Sequence, residues 1–390
     1  MELNFMQKRT WAEIDLDALE YNYKLLRKIT PPSALICCTV KADAYGHGSV
    51  RVAALYESLG AGYLAVSNVK EAIILRDGGI TLPILILGYT DPSCARVLAE
   101  KNITQCVYSY DYGIALSKYA ETEEVTLKVH IKLDVGMGRI GFSLDDETSF
   151  SQILEVCRCK SFITEGIFTH FPMAGDGEKD MGITEGQYEL FCDMIARLEN
   201  ENINFKIKHC ANSATGIKYP QFSMDMVRYG ISLYGALPSS DIVDIGLKNT
   251  LSLKSMVSNV KRVKAGQSIG YGSEYTAEKD VMIATLPIGY GDGLKRENYP
   301  NGTKISVGGV LCEITGRVCM DQTMIDVSAV SSVKRGDEAV IYGSGSPVSL
   351  EDFSKNNSKI PYETMCEVSA RVPRVYMKNG AIESIRESFV

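Results

Sequence analysis

The chain has 390 residues, 45% of them hydrophobic and 23% charged, and a formal net charge of −7. That length holds two cored domains, since single domains run to about 100–200 residues and barrels to about 250. The acidic balance excludes nucleic acid as the main partner, because polyanion binding draws on clustered Lys and Arg that displace counterions.

The eleven cysteines are scattered and odd in number, with no C-x-x-C pair. Neither a disulfide framework nor a metal site is therefore expected, and the thiols read as small buried hydrophobes of a reducing compartment. The N-terminal stretch MELNFMQKRTWAEIDLDALE lacks the apolar core of a signal sequence. No run approaches the ~20 apolar residues of a membrane span, so a cytoplasmic protein with no membrane partner is expected.

In chain order, Leu16, Leu19, Tyr23 and Leu26 recur at spacings of three and four after Asp15, which predicts a helix that Pro31-Pro32 ends. Apolar runs at 34–40, 63–66, 83–87, 104–108, 127–133, 162–168 and 206–209 read as buried strands. Amphipathic helices are predicted between them at 69–76, 94–101, 110–119, 150–157 and 187–201, and an eighth, shorter element at 226–233. Eight such units in about 230 residues fit a closed (β/α)8 barrel better than the alternative, an open doubly wound sheet.

The pattern changes near Pro238. Short strand-like runs follow at 255–263, 281–287, 304–310, 324–327 and 339–342, punctuated by Gly289-Tyr290-Gly291-Asp292-Gly293 and Gly308-Gly309. That predicts a mainly antiparallel β domain. The expected division is a barrel over 14–245 and a β domain over 246–390, with 1–13 packing on the latter.

Barrel enzymes place their chemistry at the carboxyl ends of strands. The first strand ends in Val40-Lys41-Ala42-Asp43-Ala44-Tyr45-Gly46-His47-Gly48. Desolvation of a lysine there favours the free amine that Schiff-base chemistry needs, although a strand-end lysine can also simply reach to solvent. The fifth strand ends in Lys132-Leu133-Asp134-Val135-Gly136-Met137-Gly138-Arg139, where the glycines bend the backbone and set Arg139 over the mouth to grip a carboxylate. His170 ends the sixth strand and His209 the seventh. Asn212 and Ser213 open a short helix whose free N–H groups and hydroxyl suit a phosphate, and Arg228-Tyr229-Gly230-Ile231 follows the eighth strand. Loops after strands seven and eight commonly form a phosphate site in barrels.

In these residues the chain resembles the alanine racemase family of fold type III pyridoxal-phosphate enzymes. The resemblance spans Thr10 to Tyr376 through seven motifs in order: 40–48, 136–141, 226–235, Gly270-Tyr271-Gly272, 287–293, 316–322 and 361–374. It implies pyridoxal 5'-phosphate as cofactor and interconversion of L- and D-alanine, supplying D-alanine for cell-wall synthesis. It implies that Lys41 is the Schiff-base lysine and one catalytic acid/base, with Tyr271 the other on the opposite face of the substrate's Cα. Arg228 is implied to face the pyridine nitrogen, supported by His209 and His170. Tyr45, Asn212, Ser213, Gly230, Ile231 and Tyr362 are implied on the cofactor side. Arg139 and Met320 are implied to hold the substrate carboxylate, and Tyr290 and Tyr362 to narrow the entrance. Lys132 matches a lysine that is often carbamylated and positions the arginine.

The resemblance further implies a homodimer in which Tyr271 and Met320 complete the partner's site. The chain departs from the pattern at Val135, usually a small hydroxyl residue, and at Pro172, usually a small one. These departures bear on the shape of the substrate pocket. The alternatives are a serine or broad-specificity racemase of the same superfamily, a barrel-type decarboxylase, and a non-catalytic cofactor-binding barrel. Arg228 and Tyr271 count against the decarboxylase, and the second domain against the last.

Overall fold

The computed structural model describes residues 9–144, 146–344 and 346–387. Eight parallel strands form a nearly closed barrel: Leu35–Thr39, Tyr63–Val66, Ile84–Ile86, Ile103–Val107, Leu127–Asp134, Phe162–Phe168, Ile207–His209 and Met226–Tyr229. The last strand returns to the first, with Met226 opposite Leu35 and Tyr229 opposite Cys38. At the seam between the seventh and eighth strands, Asp225 N–H donates to Lys208 and Arg228 N–H to Ala211, each at 3.0 Å. Side chains fill the interior and helices cover the outside, which is why the strands read as unbroken apolar runs.

Helix Leu16–Ile29 precedes the barrel. Ser49–Ser58, Val69–Asp77, Ala95–Glu100, Tyr110–Thr122, Ser149–Cys157, Ile183–Asn200 and Ser213–Lys218 follow successive strands. Asp15, Asn68, Ser109 and Asn212 each accept a backbone N–H in the first turn of their helix, a cap worth ~1 kcal/mol. Helix Ser49–Ser58 has no counterpart among the predicted elements, because Gly46 and Gly48 mask its start; it buries Val52, Ala53, Leu55 and Tyr56. The eighth strand stops at Tyr229, and Ile231–Tyr234 turns as a short 3-10 helix instead of extending it.

Beyond the barrel lies a seven-stranded sheet in the order Val310–Glu313, Lys304–Val307, Glu338–Tyr342, Leu251–Met256, Thr10–Asp15, Arg374–Lys378 and Ala381–Arg386. Its pairings are antiparallel except the one between Thr10–Asp15 and Arg374–Lys378. A three-stranded antiparallel sheet joins Asn259–Val263, Val281–Leu286 and Thr323–Asp326. Two predicted runs are therefore divided. The run at 255–263 breaks at Val257-Ser258, and its halves enter different sheets. The run at 304–310 becomes a hairpin, because Gly308 and Gly309 both take positive φ (57° and 81°) as a two-residue turn requires. Of the segment 1–13, residues 1–8 lie outside the described residues. Among the described residues, no helix is long and apolar enough to cross a membrane.

One side chain ties the sheet to the barrel. Arg374 is 1% exposed and donates to the carbonyls of Gly46, Val368, Ser369 and Val372 at 2.6–2.9 Å. Leucine there leaves the Gly46, Val368 and Val372 carbonyls without a donor, each costing ~1–3 kcal/mol, while Ser369 keeps the Val372 N–H at 3.1 Å. Arg374→Leu should thus lower the unfolding free energy by at least ~3 kcal/mol in urea titrations. A loss below ~1 kcal/mol would mean that the carbonyls find other donors.

Candidate active site

The lysine turn is built under strain. After the first strand, Ala42, Asp43, Ala44 and Tyr45 all adopt left-handed φ values of 51–54°, each costing ~1–2 kcal/mol for a residue with a Cβ. Tertiary contacts offset this. Glu71 accepts the Ala42 N–H at 2.8 Å, and Asp43 accepts Ser49 N–H at 2.8 Å. Arg386 grips Asp43 through both guanidinium nitrogens, at 2.9 and 2.5 Å. The turn delivers Lys41 into a cavity of about 670 Å³ at the carboxyl ends of the barrel strands. Burial, and then the nearby Arg139 cation, pushes the Lys41 ammonium below its ordinary value.

The same cavity gathers Tyr45, Lys132, Arg139, His170, Asn212, Ser213, Arg228, Gly230, Ile231 and Tyr362, all singled out from the sequence. Lys132 is 3% exposed and donates to the carbonyl of Ile140. Burial brings it down to about 8. Arg139 hangs from a turn organised by Asp134, a residue the sequence reading passed over. One Asp134 carboxylate oxygen accepts the N–H groups of Gly136, Met137 and Gly138 at 2.8–3.2 Å, and the other accepts Arg139 N–H at 3.2 Å. A carboxylate followed by Gly-x-Gly is the signal that marks such a turn.

Arg228 forms the opposite wall, 5% exposed. It donates to His209 Nδ1 at 3.0 Å, to the Thr169 carbonyl at 2.8 Å and to His170 Nδ1 at 3.4 Å. No described carboxylate is among its partners. Phe168 lies under both the guanidinium, at 5.3 Å, and the His209 ring, at 4.8 Å. His209 thus sits behind Arg228, fully buried, and does not line the cavity. On the far side, Gly230 N–H donates to Ser213 Oγ at 2.9 Å, and a Cβ at Gly230 would meet Tyr45 Oη at 2.8 Å. Tyr45 packs on Tyr234 at 4.6 Å and on Tyr362 at 5.9 Å. Asn212 spends its side-chain oxygen capping helix Ser213–Lys218, accepting Thr215 N–H at 3.0 Å, so it shapes the wall rather than offering that oxygen to a ligand.

Tyr271, Tyr290 and Met320 do not reach this cavity. They stand 67%, 36% and 54% exposed on neighbouring loops beyond the barrel. Tyr290 N–H donates to Cys319 at 3.0 Å and Gly291 N–H to Met320 at 2.9 Å. Fully buried Asp292 holds the loop, accepting Gly289 N–H at 2.9 Å and pairing with Arg9 and Arg371, each at 2.8 Å.

A parallel barrel with a desolvated lysine and a buried arginine across one strand-end cavity defines a barrel enzyme that works on a small ligand. The alanine racemase N-terminal domain model matches residues 14–238, and the C-terminal domain model residues 250–376. The alanine racemase of Clostridium tetani is 42% identical over 380 residues, covering 96% of this chain and 97% of that protein. Among solved structures, the alanine racemase of Clostridium difficile 630 superposes with a TM-score of 0.94 at 38% identity and 100% coverage of both chains. That of Bacillus anthracis, with bound L-Ala-P, gives 0.92 at 32% identity, covering 99% of each. The chain belongs to the alanine racemase family of amino-acid racemases.

Because Asp134 fixes the backbone that carries Arg139, Asp134→Ala should act on substrate capture. We expect KM for the amino acid to rise about 10-fold or more with kcat much less affected, by analogy with the loss of groups that orient a ligand-binding residue. Steady-state kinetics check this, and an unchanged KM would place Arg139 outside the substrate site.

Proposed function

We propose that this chain interconverts L-alanine and D-alanine with pyridoxal 5'-phosphate, as a cytoplasmic homodimer whose sites are shared, and so supplies D-alanine for peptidoglycan synthesis. We assign 14–245 to the cofactor-binding barrel and 246–390, with 1–13 packed on it, to the β domain. The observation that carries the reading is Lys41 and Arg228 facing one cavity, the lysine desolvated and the arginine buried without a carboxylate.

The cavity fits such a cofactor. Lys41 offers an amine for covalent attachment. Across from it, Tyr45, Ser213, Gly230, Ile231 and Tyr362 would hold the phosphate, mostly through hydroxyls and backbone N–H groups, and the missing Cβ of Gly230 leaves room for the Tyr45 hydroxyl. Arg228 can only donate, which suits an unprotonated ring nitrogen. When bound, pyridoxal phosphate withdraws electrons from the substrate's Cα, so that its proton becomes removable. The chain's residues then decide where that proton goes. Arg139, with Met320 of the partner copy, holds the carboxylate, Lys132 orients Arg139, and Tyr362, with Tyr290 of the partner copy, limits the side chain to about a methyl. Lys41 takes or returns the proton on one face, and Tyr271 of the partner copy serves the other. Inversion needs both, since a lone base tends to return the proton where it found it.

Subunit mixing tests the shared site. Lys41→Ala and Tyr271→Phe should each be inactive, but each hybrid dimer carries one site free of either change. Mixed and re-equilibrated, the two variants should recover up to about a quarter of wild-type activity. If both residues act within one chain, mixing restores nothing.

Arg228→Glu tests the other wall. A carboxyl group can share a proton with the ring nitrogen where a guanidinium cannot, which strengthens the electron sink. Transamination products, measured as pyruvate per turnover, should rise relative to racemisation. A clean product mixture would count against this role of Arg228.

A further inference from the structure

Behind Arg228 a line of polar side chains runs down through the barrel core, and nothing in the reaction above uses its lower half. His209 Nε2 lies 2.9 Å from His130 Nδ1. His130 Nε2, a buried atom with no hydrogen-bond partner, lies 3.6 Å from Glu165 Oε2, just beyond hydrogen-bond distance. Tyr63 Oη donates to the same Glu165 oxygen at 2.5 Å. Both imidazoles are fully buried, His209 against Phe168 and His130 against Tyr63. Gly166 makes room for His130: a Cβ there would come within 2.6 Å of the imidazole Cε1. Glu165 and Tyr63 line a second cavity of about 390 Å³, which also includes Lys128 and Asp225, so the carboxylate end is not sealed in the core.

The proton positions along this line are dictated by chemistry. Arg228 has no acceptor, so His209 Nδ1 must accept from it. Neutral His209 therefore carries its hydrogen on Nε2 and donates to His130 Nδ1. His130 in turn must hold its hydrogen on Nε2, aimed at Glu165. A proton added to either ring would set two donors face to face, and burial holds both imidazoles below their ordinary pKa. Every N–H thus points from the arginine toward the carboxylate. Such aligned dipoles reinforce one another in a low-dielectric core, and they bring the only described carboxylate of this line into register with a cation that has none of its own.

We propose that His130 and Glu165 are positioning residues for Arg228: they lock His209 with its lone pair facing the guanidinium, and so keep Arg228 aimed at the cavity and unable to pass on a proton. This rests on the role given above to Arg228, and it extends the set that matters for the reaction to the far end of the barrel.

The test uses the four histidines of the chain, His47, His130, His170 and His209. Selective 15N-histidine labelling of the full chain, with and without pyridoxal phosphate, reads each ring's tautomer directly. Wild type should give His209 and His130 as single Nε2–H tautomers through the neutral pH range. His130→Phe, which keeps a ring but no acceptor, should mix the His209 tautomers. It should also lower kcat about 10- to 100-fold with KM little changed, the usual size of losing a group that orients a reactive one, and raise the pyruvate share. His130→Gln, whose carbonyl accepts and whose amide donates, should recover most of kcat and the single His209 tautomer. Glu165→Leu should reproduce the His130→Phe pattern and Glu165→Gln should not; this pair stands in if His130→Phe does not fold, because Glu165 borders the second cavity. The proposal is overturned if Phe and Gln variants behave alike, or if the variants lose thermal stability while tautomers and kcat hold. The tautomers are read on the unloaded chain as well, so a failure here is distinguishable from a failure of the racemase reading, which the subunit mixing decides.

Discussion

Arg228 brings a full positive charge to the barrel mouth with 5% of its surface exposed and no described carboxylate in contact. Even after relaxation, taking a cation out of water costs several kcal/mol. The barrel meets that cost with oriented neutral groups, the carbonyl of Thr169 and the imidazole lone pairs of His209 and His170. Much else follows from this choice. Those imidazoles have to be neutral, hence buried, and the sixth and seventh strands have to present their ends inward. Lys41, Lys132, Arg139 and Arg228 then surround one cavity. Their mutual repulsion adds to burial in lowering Lys41 and Lys132. A mouth with this field is arranged in advance for an anion.

The second part of the chain is required for the first to hold its shape. Four successive left-handed residues follow Lys41, and none of them is glycine. An isolated barrel has little with which to balance ~4–8 kcal/mol of local strain. Glu71 and the Ser49 N–H supply part of the balance from the barrel, and the rest comes from beyond residue 360. Arg374 holds the Gly46 carbonyl, Arg386 holds Asp43, and a Cβ at Gly46 would strike the Met365 carbonyl at 2.4 Å. The segment that carries Tyr362 into the cavity is gripped by the same Arg374 through Val368, Ser369 and Val372. The lysine and the far wall are thereby fixed relative to each other by contacts more than three hundred residues apart in sequence.

The barrel was legible because burial on both faces leaves a long-range sign in the sequence: seven apolar runs and an eighth, shorter element, each near its observed strand. The antiparallel part was less so. The run at 255–263 joined the end of Leu251–Met256 to Asn259–Val263, because local pattern does not record that the first strand pairs with Thr10–Asp15 and the second with Val281–Leu286. The left-handed turn was hidden for a related reason, since Ala42 to Tyr45 carry no glycine signal and their geometry is set by Glu71, Arg374 and Arg386. At the mouth, motif residues were legible by their position at strand ends. His130 and Glu165 lie within strands instead, where polarity in an apolar run is the only mark. A histidine between Val129 and Ile131 has to find a partner, and local pattern does not say which inward-facing groups of the next two strands, Glu165 and His209, meet it.

The cavity is also one-sided, and that bears on the proposed reaction. Among the described residues, Lys41, Lys132, Arg139 and Arg228 of the barrel and Tyr362 of the β part line the cavity, while Tyr271 stands outside it. Racemisation through two bases needs an acid/base group facing Lys41 across Cα. The β part carries Tyr271, Tyr290 and Met320 outward, the last two on loops tied to the buried Asp292, with Met282 and Leu311 exposed as well. Large apolar groups in water on a rigid support are unfavourable unless something covers them. In the proposed dimer a second copy docked head to tail would cover them and close the open side of the cavity in one step. In this reading the two departures from ordinary burial, a cation inside and tyrosines outside, are complementary halves of one site.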